Sequence, residues 1–90
     1  MSVTDLMPLD SCATWRLTDL PVGTRGRIVR ILADAPTTHY LRCFGLREGE
    51  TAAVLRRALF GGPLHLERGC GGEFALAHAL AALIELVVDA

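Results

Sequence analysis

The sequence predicts a mainly β fold with short helices, a small closed β-barrel of about five strands. Three observations predict it. Short strand-like segments recur along the chain, each bounded by glycine or proline turns. One stretch, 34–45, carries helical periodicity with a start and a stop signal at its ends. The 90 residues are 51% hydrophobic, which suffices for one core and one domain. A chain of this size buries only about 60% of its unfolded surface, so modest stability is expected.

Residues 1–13 mix polar side chains with Pro8 and read as a flexible N-terminal extension, leaving 14–90 as the domain. Trp15-Arg16-Leu17 opens the ordered part. Thr18 to Gly23 reads as a turn, because Pro21 fixes φ and Gly23 allows positive φ. Arg25 to Leu32 is strand-like and alternates basic with apolar side chains over part of its length. Period 2 cannot place both Ile28 and Ile31 on one face, so a bulge or strong bend is expected between Val29 and Leu32.

Asp34-Ala35-Pro36 reads as a helix start, since Asp caps free amides and Pro is tolerated in the first turn. Thr37, Tyr40, Leu41 and Phe44 share one face. Gly45 suits the left-handed position that ends helices, with Leu46 packing back on Leu41. Gly49 closes the next turn and a strand runs from Thr51 to Ala58. Ala52 and Val54 are expected to face the core, Ala53 and Leu55 the other side, and Arg56-Arg57 a solvated end. Leu59-Phe60-Gly61-Gly62 reads as a hairpin loop and 63–67 as its return strand. The cluster Gly69-Cys70-Gly71-Gly72 is a second turn, and Phe74-Ala75-Leu76 a short strand. His78 to Leu83 forms one or two helical turns, and Ile84 to Val88 a β-branched closing strand.

This order of segments resembles the FeoA family over 17–88. The run Leu17-Thr18-Asp19-Leu20-Pro21-Val22-Gly23-Thr24-Arg25-Gly26-Arg27-Ile28 looks like the opening of those proteins. Phe44-Gly45-Leu46-Arg47-Glu48-Gly49 is similar to their LGL-x-PG signature. Val54 to Ala58 followed by Gly61-Gly62-Pro63 is similar to their second hairpin. The resemblance implies an SH3-like β-barrel, related to the last domain of DtxR-type repressors. It also implies a cytoplasmic accessory that docks on FeoB, a membrane iron transporter with a GTP-binding domain, and modulates its uptake activity. The chain departs from the family pattern at the hairpin tip. Leu59 replaces the Pro after Ala58, and Gly62 replaces the Asp before Pro63. Ala77 and Leu80 stand where Arg and Glu are usual. Hairpin and last helix are thereby more apolar than in the family.

Nine basic and ten acidic residues give a net charge of −1, which argues against a dedicated nucleic-acid binder. The N-terminus has no basic start and no apolar run, so no signal peptide is expected. The apolar stretch 74–88 is too short to span a bilayer, which makes any membrane contact indirect. Three widely spaced cysteines do not form a disulfide framework. Ser2 and Ser11 lie in the N-terminal extension and no nucleophile constellation appears, so no enzyme is expected. The glycine clusters lack the Gly-Lys-Ser/Thr ending of a phosphate loop and read as turns.

His39 and Cys43 stand four apart on one helix and could share a metal. Two further ligands would have to come from His65, His78, Cys70 or Cys12, so no tightly bound cofactor is expected. Arg25, Arg27, Arg30, Arg56 and Arg57 form either a basic face for an acidic protein or an ordinary solvated exterior. Leu59 and Phe60 either fold back over the core or stand exposed for a partner. Leu80 and Leu83 raise the same question, with Leu83 the better candidate for the core. The expected partner-binding set is therefore Leu59, Phe60, Leu80, Arg56 and Arg57. The alternatives to an adaptor are a metal-binding or metal-sensing module, resting on His39 and Cys43, and a homo-oligomer formed through the hairpin or last helix.

Overall fold

A computed structural model describes residues 14–88; the expected N-terminal extension, with Cys12, lies outside them. Six strands form one antiparallel sheet: β1 (Thr14–Arg16), β2 (Arg25–Ile31), β3 (Thr51–Arg57), β4 (Leu64–Arg68), β5 (Glu73–Leu76) and β6 (Ile84–Val87). Helix α1 (Ala35–Cys43) follows β2 and helix α2 (His78–Ala81) follows β5. The spatial order is β1-β6-β2-β3-β4-β5.

This corrects the expected closed barrel of about five strands. There is one strand more, and among the described residues no ladder joins β5 to β1, so the sheet stays open. The added strand is β1, which pairs Thr14, Trp15 and Arg16 with Val87, Leu86 and Glu85. Its partner lies at the far end of the chain, and three residues carry no periodicity that could announce a strand. The inward side chains of β2 to β6 nevertheless join one cluster with Leu17, Leu20, Leu41 and Leu46. No polar or charged side chain is buried among the described residues.

The expected irregularity in β2 is present. The β2–β6 register shifts between Ile28 and Arg30, so Ile28 is buried and Ile31 also packs against the core while Val29 turns outward. A second, unexpected shift lies between Val54 and Arg56 in the β3–β4 ladder.

Ala52 and Val54 are buried as expected, but so is Ala53 on the other side. Ala53 is flanked in register by Arg25 on β2 and Glu67 on β4. Those two side chains meet at 2.6 Å and close over the small residue between them.

Helix α1 is bounded as read. Asp34 Oδ1 accepts from the Thr37 amide at 2.9 Å. At the other end Gly45 has φ +86. Its amide donates to Arg42 and that of Leu46 to Leu41, both closing the last turn in a Schellman pattern. Leu46 is thereby fully buried. Phe44 stacks on Phe74 at 5.7 Å, and Arg68 sits over the Phe74 ring while donating to the Phe44 carbonyl at 3.0 Å. The end of α1 is thus fastened to the β4–β5 hairpin.

Candidate interaction surface

The β3–β4 connection carries the surface. After β3 the chain makes one 3-10 turn, Leu59–Gly61, before Pro63 leads into β4. The hairpin is pinned by the Ala58 amide donating to the Pro63 carbonyl at 3.1 Å and by Gly62 donating to Leu59 at 3.2 Å. Phe60 and Gly61 both have left-handed backbones, with φ +59 and +72. Glycine takes that conformation freely, whereas a Phe does so at a cost of about 1–2 kcal/mol. Gly62 serves a different need, because a Cβ there would lie 2.8 Å from Ala58 Cβ.

The conformation throws Phe60 into solvent. Its relative exposure is 101% and that of Leu59 is 79%. Of the two arrangements open to this pair, the lid over the core is excluded. Leu80, by contrast, is half-buried and packs against the core cluster. Leu83 is also half-buried but is not among the side chains packed on that cluster. Leu80 therefore sits apart in character from the hairpin pair.

At the foot of the hairpin lies an open concavity of about 300 Å³, lined by Arg56, Arg57, Pro63, Leu64, His65 and Ala75. Arg57 is held in place: its guanidinium donates to the Thr18 carbonyl at 2.9 and 3.1 Å and also to the Leu20 carbonyl. His65 Nε2 lies 2.9 Å from Glu73 Oε1. Arg56 is exposed and meets no carboxylate or carbonyl among the described residues.

The wider basic face is not a uniform patch. Arg25 is paired with Glu67, and Arg30 lies 3.7 Å from Glu85. Among the described residues, Arg56 and Arg57 carry positive charge with no carboxylate in an ion pair with them, beside the exposed hairpin.

His39 Nε2 stands 3.7 Å from Cys43 Sγ on the exposed side of α1. No group of three or more His, Cys, Asp or Glu side chains suited to a metal exists among the described residues. Cys43 and Cys70 are free, exposed thiols. The Asp34 carboxyl is held below its ordinary value by hydrogen bonding from Thr37.

Sequence reasoning missed two parts of this surface. The clamp by Arg57 joins residues 39 apart in sequence, and no local pattern marks it. The concavity needs β5, which brings Ala75 beside His65.

A family model described as FeoA domain matches residues 15–88. No curated protein sequence matches the chain. Among solved structures, the crystal structure of an iron uptake regulatory protein (FeoA) is similar at TM-score 0.75 and 28% identity, over 83% of this chain and 97% of that one. Iron(II) transport protein A from Clostridium thermocellum is similar at TM-score 0.76 and 27% identity, over 82% of this chain and 45% of that one. A manganese-dependent transcriptional repressor shares the fold at TM-score 0.78 and 23% identity, over 87% of this chain but only 43% of the repressor. The expected SH3-like fold agrees with these likenesses, its sheet being open rather than closed. No helix among the described residues is long and apolar enough to cross a membrane.

Proposed function

The chain belongs to the FeoA domain family, and from that premise we propose that it is a non-enzymatic accessory of bacterial ferrous-iron uptake. It works in the cytoplasm, docks on the cytosolic part of a FeoB-type transporter and modulates its activity. The names of its structural relatives, an iron uptake regulatory protein and an iron(II) transport protein, support this reading.

One observation carries the docking claim. Phe60 is wholly exposed and sits in a left-handed backbone. The exposed ring gains the fold nothing by burial, and the left-handed backbone costs it energy. Both together at a loop tip favour an anchor that a partner covers. Leu59 and the Arg56-Arg57 pair extend the same surface, while Leu80, packed against the core, is a separate and partly buried candidate.

The test is a pull-down with the purified cytosolic domain of the transporter. The wild type is expected to be retained, and Leu59→Ala plus Phe60→Ala to be lost. No retention of the wild type would sink the docking reading, and equal retention of both would remove the hairpin from it. Among the described residues, a metal-sensing role has the two-ligand His39–Cys43 pair in its support, too few donors for a stable site.

A further inference from the structure

We infer that the segment seated against this hairpin is acidic as well as apolar, with a carboxylate entering the concavity beside Arg56 while Phe60 enters the partner. The inference rests on the docking reading above and specifies its chemistry.

The hairpin offers a knob and a hole side by side. Phe60 projects with nothing of the described residues packed around it. The concavity at its foot has an apolar floor in Pro63, Leu64 and Ala75 and a cationic wall in Arg56 and Arg57. Its volume of about 300 Å³ accepts a side chain or two rather than a whole element.

Charge decides what enters. Glu73, beside the lining residue His65, pairs with that histidine rather than with the arginines. Arg57 already donates to the Thr18 and Leu20 carbonyls, which fix its guanidinium without neutralising it. Arg56 has its donors unspent among the described residues. An immobilised cation beside a free one suits a carboxylate, because the ordering cost on one side is already met. The same charges argue against a second copy of this chain as occupant. A two-fold contact through the hairpin would gather two Arg56-Arg57 pairs in one interface, raising its positive charge.

Two measurements test this. First, a labelled peptide of alternating Leu and Glu, and its Leu-Lys counterpart, are titrated into isotope-labelled protein. The acidic peptide is expected to shift the amide signals of Arg56, Ala58, Leu64 and His65, to bind more weakly as salt rises, and to lose about tenfold in affinity in Arg56→Glu. Arg47→Glu, a charge reversal away from the hairpin, is expected to leave binding unchanged. Equal binding of the two peptides, equal loss in both variants, signal shifts elsewhere, or dimerisation through the hairpin would each overturn the inference. Second, the transporter's cytosolic domain is tested against Arg56→Glu and Arg56→Lys, with circular dichroism as the folding control. Loss in the first and retention in the second support the inference. Equal binding of wild type and Arg56→Glu overturns it while leaving docking intact. Peptide binding with no binding of the transporter domain overturns the docking reading and leaves the acidic specificity standing.

Discussion

The guanidinium of Arg57 donates to the backbone carbonyl of Thr18 at 2.9 Å, tying the end of β3 to the turn that precedes β2. It reaches the carbonyl of Leu20 as well. Leu20 is fully buried, so this contact holds the turn in the position that places Leu20 in the core.

Arg57→Ala is therefore expected to destabilise the fold by about 1–2 kcal/mol, since two carbonyls lose a charged donor. Arg57→Lys should recover only part of the loss, because an ammonium lacks the planar fork that serves both acceptors. Urea unfolding midpoints check this. Unchanged midpoints in both variants would show that water replaces the guanidinium without penalty.

Gly45 and Gly49 separate two reasons for needing glycine. Both have positive φ, +86 and +94. A Cβ on Gly45 would lie 3.2 Å from Arg68 Cδ, whereas Gly49 has open space around it. Each change to Ala is expected to cost about 1–2 kcal/mol for the left-handed backbone. Gly45→Ala should cost more, because Arg68 is anchored on the Phe44 carbonyl and has little freedom to yield. Equal losses in thermal unfolding would mean that the arginine moves aside freely.

Leu46 tests the helix stop from its apolar side. It is fully buried and its amide reaches back to Leu41. Leu46→Ala is expected to cost about 2–5 kcal/mol, the range for a buried leucine that leaves a cavity. A loss below that range, read by chemical denaturation, would indicate that the end of α1 collapses into the space.

Features set by near neighbours were legible in the sequence. Asp34, Gly45 and Leu46 act through partners within a few residues, so their types and order suffice to predict the cap and stop. The β2 bulge was legible because Ile28 and Ile31 both have to reach one core. What stayed hidden depends on distant partners. Strand β1 exists through β6, Ala53 is covered by a pair from two other strands, and Arg57 is spent on a turn far upstream. The candidate surface was half legible. Leu59 and Phe60 stood out as apolar residues among glycines, but their exposure and the left-handed Phe60 needed the fold.

Asp34 predicts a pH dependence. Hydrogen bonding from the Thr37 side chain and then its amide holds the carboxyl below its ordinary value of 3.8. With the folded value below the unfolded one, the cap stabilises the protein above that value and the contribution fades as pH falls through the folded value. Asp34→Ala should thus unfold earlier than the wild type near neutral pH, and the gap should close in acid. A gap of constant size across the acid range would show that the cap does not depend on charge.

Phe60 should behave in the opposite way to every core position. It is fully exposed and its φ is +59, so the folded chain gains little from the ring and gives up energy to the backbone. Asn tolerates the left-handed region far better than an aromatic does. Phe60→Asn is therefore expected to keep or raise the unfolding temperature, by up to about 1 kcal/mol in stability. The same variant should lose retention on the transporter's cytosolic domain, because the knob is gone. Thermal unfolding and the pull-down, run on one preparation, measure both. A variant that is destabilised would mean that Phe60 supports the fold. One that is stable and fully retained would mean that the exposed ring is not the anchor.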